Sequence, residues 1–160
     1  MRKIEFVPVR LTEIAEVFSI RIEDDSLSEF QKFLIMFRDA EDEFIKDDFF
    51  RIAEVINQIS EQGALERFFR PEGKYKDRVW AIPLEIIGRD KKTHGTLRLY
   101  CIRISDKLLI LGGGGLKVSE AYQEDPKLLE SVQTLQEVDK VLRGFYESED
   151  DLNNLTIYID

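Results

Sequence analysis

Histidine and cysteine are almost missing from this chain. His94 is the only histidine and Cys101 the only cysteine among 160 residues. One cysteine excludes an intrachain disulfide, and one of each excludes a structural zinc site built by a single chain. A Ser-His or Cys-His catalytic pair would have to use His94, which narrows the enzyme classes. No run of about 18 apolar residues occurs, so no transmembrane helix is expected. The start, MRKIEFVPVR, has no apolar stretch behind its basic residues, so a signal peptide is not expected and a cytoplasmic location is. Low-complexity linkers and internal repeats are also lacking.

What is present is charge sorted by position. Residues 65–117 carry twelve basic and six acidic side chains, a net +6, inside a chain of net −9. A positive island in an acidic protein is either a site for an anion or an internal docking surface. Hydrophobic content of 43% with 34% charged residues fits one globular domain over residues 1–160.

Residues 1–25 read as one strand or a hairpin, the better alternation being Val17–Glu23. Ser26 and Glu29 make an S-x-x-E capping box, opening a helix that runs to about Arg38 on Leu27, Phe30, Phe33, Leu34 and Phe37. A second helix spans Glu41–Gln62 and Gly63 ends it. Three strands follow at Val79–Ile87, Thr96–Ile104 and Lys107–Leu111, the last two joined by a tight Ser105–Asp106 turn. A long helix follows Pro126, and residues 147–160 form an acidic tail with a possible closing strand at Leu155–Ile159. Elements segregate rather than alternate. The class is therefore α+β: N-terminal strand(s), two helices, a three-stranded antiparallel meander and a C-terminal helix, with helices packed on an antiparallel sheet.

The basic island is where chemistry is expected. Arg98 sits among apolar strand residues and needs an anion, because an unpaired buried charge is costly. In a meander, Lys76, Arg98 and Lys117 would converge on a concave, solvent-open surface able to hold a phosphodiester, Arg98 in bidentate fashion. Lys74, Arg78, Arg89, Lys91 and Lys92 would extend it. The competing reading pairs Arg98 with Glu85 or a helix carboxylate. The glycine run Gly112–Gly115 lacks phosphate-loop spacing and reads as a bulge or a close backbone approach. His94, in a polar loop, reads as solvated. Trp80, Tyr100 and Cys101 read as core. The carboxylate clusters Glu41–Glu43 and Glu147–Asp151 read as solvated rather than metal-binding.

Three stretches, FFRPEGKYKDRVW (Phe68–Trp80), LRLYCIR (Leu97–Arg103) and KLLILG (Lys107–Gly112), resemble the RelE/ParE/HigB superfamily of toxins from toxin–antitoxin systems, the HigB and phage-derived branch above all. The resemblance implies a RelE-like fold whose concave face binds messenger RNA on the ribosome. It implies a metal-independent, cofactor-free endoribonuclease in which basic side chains clamp the scissile phosphate while the RNA supplies the attacking 2′-hydroxyl. By position Arg98 matches the family's middle-strand arginine, Lys117 falls near its basic position after the last strand, and Lys74 and Lys76 fall in its basic loop. The implied partners are an antitoxin protein, messenger RNA and the ribosome, with no membrane. Ala81 and Pro83 stand where the family has Glu and Arg, and Gly112–Gly115 replaces its H-G-F. A non-catalytic member of the same fold, docking an acidic partner peptide in the basic groove, is the alternative.

Overall fold

A computed structural model describes residues 1–71, 78–82, 95–118, 125–145 and 152–160. Among these residues seven strands form one sheet: β1 (Arg2–Leu11), β2 (Glu16–Ile22), β3 (Arg70–Pro71), β4 (Val79–Ile82), β5 (Thr96–Ser105), β6 (Leu108–Lys117) and β7 (Thr156–Ile159). Their spatial order is β3-β4-β5-β6-β2-β1-β7. The α-helices among the described residues are α1 (Glu29–Phe37), α2 (Glu43–Gln62) and α3 (Pro126–Phe145). The α+β class and the β4-β5-β6 meander stand as expected. The sheet, however, is mixed rather than wholly antiparallel. β2 lies parallel to β6 over Glu16–Ser19 and Leu108–Leu111. The cause is the N-terminal segment, which is a β1–β2 hairpin whose second strand inserts beside the end of the meander.

Helices cover both faces. On one side Phe30, Phe33, Ile52, Ile56 and Ile59 of α1 and α2 pack on Val17, Leu97, Leu99, Leu109 and Leu111. On the other, Leu128, Val132, Leu135, Val138 and Leu142 of α3 pack on Phe18, Ile20, Tyr100, Ile102 and Ile110. Central strands therefore bury both sets of alternate side chains, which explains the near-continuous apolar run of LRLYCIRI.

Caps set the helix boundaries. Both Ser26 and Ser28 head an S-x-x-[EQ] pattern, and the chain uses Ser28 rather than the expected Ser26. Ser28 Oγ accepts from the Gln31 N–H at 3.2 Å, and the Gln31 side chain accepts from the Ser28 N–H at 2.8 Å. Asp42 caps α2 through the Phe44 and Ile45 N–H groups. Gly63 closes α2 at φ 105°, where a side chain would also meet the Asp106 carbonyl at 3.1 Å. Ser19 ties three elements together, donating to the Leu111 carbonyl at 2.8 Å and accepting from the Phe30 N–H at 3.1 Å.

Two features differ from expectation, while the far end of the expected Val79–Ile87 strand, with Pro83, lies outside the described residues. The two-residue β3 at the sheet edge was not anticipated, being too short to show a period. β6 runs on through the glycine run to Lys117 rather than stopping at Leu111. The closing strand is present at Thr156–Ile159 and pairs antiparallel with β1.

Candidate functional site: the basic face beneath α3

A bulge decides where the basic residues point. Leu99 pairs with Gly114, but Cys101 pairs with Leu111, so two β6 residues, Gly112 and Gly113, stand opposite Tyr100 alone. The extra residue reverses which β6 positions face α3. Ile110 faces α3 before the bulge. After it, Gly115 pairs with Arg98 and Lys117 with Thr96. Cross-strand partners share a face. Arg98 and Lys117 therefore lie on one face of neighbouring strands, the face that carries Tyr100 and Ile102.

That face is closed. α3 approaches it more nearly than a side chain on β6 would allow. A Cβ on Gly112 would sit 2.7 Å from Leu135 Cδ1, and one on Gly115 would sit 3.2 Å from Leu128 Cδ2. The glycine run thus serves both as a bulge and as a close-approach surface, the two uses its composition allowed. Arg98 is 1% exposed and Lys117 6% exposed, and both are engaged by other groups. The expectation of a solvent-open cationic hollow is not met at these two positions. A helix lies over the sheet where the sequence left the face uncovered.

Arg78 is neutralised from the same helix. Asp139 of α3, 2% exposed, accepts from Arg78 Nε at 2.7 Å and from the Arg78 backbone N–H at 3.2 Å. Arg78 Nη2 lies 2.6 Å from the same carboxylate, and Arg143, one helical turn on, adds Nε at 3.1 Å. One buried carboxylate therefore clamps α3 to the entrance of β4. Glu85, the other carboxylate weighed for the island, lies outside the described residues.

The island's other members scatter. Arg103 projects to the opposite face, stacks over Trp80 at 5.4 Å, donates to the Ala64 carbonyl at 2.6 Å and pairs with Asp106. Arg67 donates to Gln62 and lies over Phe68. Lys74, Lys76, Arg89, Lys91, Lys92 and His94 lie outside the described residues, as does the 147–151 acidic run. Of the expected catalytic trio, Arg98 and Lys117 come together.

Two buried aspartates were missed. Asp139 falls on the spacing 128, 132, 135, 139, 142, in phase with the apolar stripe of α3. Asp48 falls likewise on 45, 48, 52 in α2, is buried, and accepts from the Leu97 N–H at 2.9 Å. A carboxylate in phase with an apolar stripe was the available signal. Cys101 is a core residue as expected, and burial pushes its thiol pKa well above the ordinary value. Among the described residues no three His, Cys, Asp or Glu side chains group as a metal site. No helix among them is long and apolar enough to cross a membrane.

As arranged, the buried guanidinium and ammonium cannot grip a polyanion unless α3 moves. Comparisons with protein-family models, with curated proteins and with solved structures each found no match for the chain.

Proposed function

We propose that this chain is a RelE-fold protein of the toxin–antitoxin kind that acts as an interaction module rather than as a nuclease. The observation that carries this reading is the closure of the basic face. Arg98 is 1% exposed beside α3, and Arg78 is spent on Asp139. A phosphodiester needs those cations open, since both its affinity and the stabilisation of its transition state come from cationic groups facing it. The sequence agrees, with Ala81 and Pro83 at the family's Glu and Arg positions. The partner in this reading is an antitoxin-type protein binding the folded chain.

One observation favours the ribonuclease reading. Arg98 and Lys117 do share a face on adjacent strands, so displacing α3 would present them together. Expression of the full chain separates the two readings. The module reading expects no growth arrest and no cleavage of ribosome-bound messenger RNA. Arrest by the full chain, abolished by Arg98→Ala with the circular dichroism spectrum retained, would reject it in favour of the nuclease.

A further inference from the structure

The parallel strands β2 and β6 part company beyond Ser19 and Leu111. β2 continues to Ile22 beside β1, while β6 continues to Lys117 beside β5. After this fork the chain goes to α1 on one face and to α3 on the other. Adjacent parallel strands whose onward connections take opposite faces leave a crevice at their carboxyl ends, where open sheets with helices on both sides bind small ligands. Here the crevice is a cleft of ≈ 300 Å³ between α1 and α3.

Its floor is bare backbone, Gly113 and Gly114. Groups from the two helices converge above it. Ser131 Oγ of α3 lies 3.4 Å from the point where a Gly113 Cβ would stand, and Glu29 Oε1 of α1 lies 3.6 Å from the same point. Glu29 pairs with Lys32 at 2.9 Å through its other oxygen, which leaves Oε1 toward the cleft. Thr134 stands one helical turn beyond Ser131 on the same wall. The α1 wall then turns apolar with Phe33 and Met36. Lys127 and Glu130 complete the α3 side, so the lining holds two lysines and two glutamates and is neutral in sum.

Phosphate does not suit this lining. In the first turns the Phe30 and Gln31 N–H groups of α1 are taken by the Ser19 and Ser28 hydroxyls, and the Lys127 and Leu128 N–H groups of α3 by the Asp125 carboxylate. Two carboxylates would also face the anion. A zwitterion does suit it. An ammonium placed over Gly113 meets Glu29 Oε1 and the Ser131 and Thr134 hydroxyls, a carboxylate meets Lys127, and an apolar side chain lies on Phe33 and Met36. We infer that the fork between β2 and β6 is a binding site for a free α-amino acid with an apolar side chain, held through its ammonium by Glu29 and Ser131 above Gly113.

The site stands apart from the basic face and does not depend on the reading proposed for it. The test is a titration of the ¹⁵N-labelled full chain with L-leucine, followed by amide shifts. Saturable shifts centred on Gly113 and Gly114, with a Kd of about 1 mM or tighter, are expected. 4-Methylpentanoate, which lacks the ammonium, should bind about tenfold more weakly or not at all. Gly113→Ala fills the floor with a methyl that makes only ordinary contacts at 3.4 and 3.6 Å, so the chain should fold as before while losing leucine. No saturable shift with leucine, shifts centred elsewhere, equal binding by 4-methylpentanoate, or undiminished binding by Gly113→Ala would each overturn the inference.

Discussion

Replacing Asp139 by Asn should loosen α3 from the sheet. The native carboxylate is 2% exposed and holds Arg78 Nε at 2.7 Å, the Arg78 N–H at 3.2 Å and Arg143 Nε at 3.1 Å. Asparagine keeps the shape but removes the charge and turns one acceptor into a donor that faces a guanidinium. Removing one member of a fully buried ion pair costs about 3–5 kcal/mol. The cations here are less buried, Arg78 27% and Arg143 47% exposed, and water can recover part of their solvation. The expected loss is therefore about 2–3 kcal/mol. For a chain of 160 residues that corresponds to a fall in Tm of roughly 5–10 °C. Urea denaturation followed by circular dichroism measures it directly. Asp39→Asn is the control. Its pairing with Arg38 at 3.5 Å is on the surface, and its removal should change stability by less than about 0.5 kcal/mol. If Asp139→Asn were as silent as Asp39→Asn, the carboxylate would not be the clamp described above.

Other outcomes follow from the same geometry. Gly112→Val should cost about 1–3 kcal/mol, because the new side chain starts 2.7 Å from Leu135, whereas Gly144→Ala, with no atom within 4 Å, should be neutral or stabilising by up to about 1 kcal/mol. Ser19→Ala should cost about 1–3 kcal/mol by leaving the Phe30 N–H and the Leu111 carbonyl without their shared hydroxyl, as read by denaturant midpoint at unchanged m. Cys101 in the native chain should resist alkylation that the urea-unfolded chain undergoes readily. The same thiol sets a sign for pH. Its folded pKa is raised by burial while the unfolded thiol ionises near about 8.5, so its contribution to stability is intact below that pH and declines as pH rises above it.

The main elements were legible because their periods are strong. Phe30, Phe33 and Phe37 step by three and four, and Phe18, Ile20 and Ile22 step by two. Their relations were less so. The β1–β2 hairpin was one of two readings open for residues 1–25, but the parallel β2–β6 contact pairs segments some ninety residues apart, which no local pattern records. The Gly112–Gly113 bulge reverses the faces of everything after it on β6; the glycine run allowed a bulge but did not fix its position or the faces that follow from it. Arg98 was legible as a buried charge, since it stands among Leu97, Leu99 and Tyr100. That α3 would cover it was written only faintly, in Asp139 interrupting an apolar stripe. A carboxylate at such a position reads as solvated until its cation is found on another element. The fork at β2 and β6 was invisible for the same reason, being a property of topology rather than of any motif.

Hydrogen exchange on the full chain, with and without single-stranded RNA at low salt, tests the closed basic face most directly. The account predicts α3 amides protected to nearly the level of β5, and no change in either element on adding RNA. Rapid exchange along residues 128–142, or loss of α3 protection with gain at residues 96–103 when RNA is added, would contradict it.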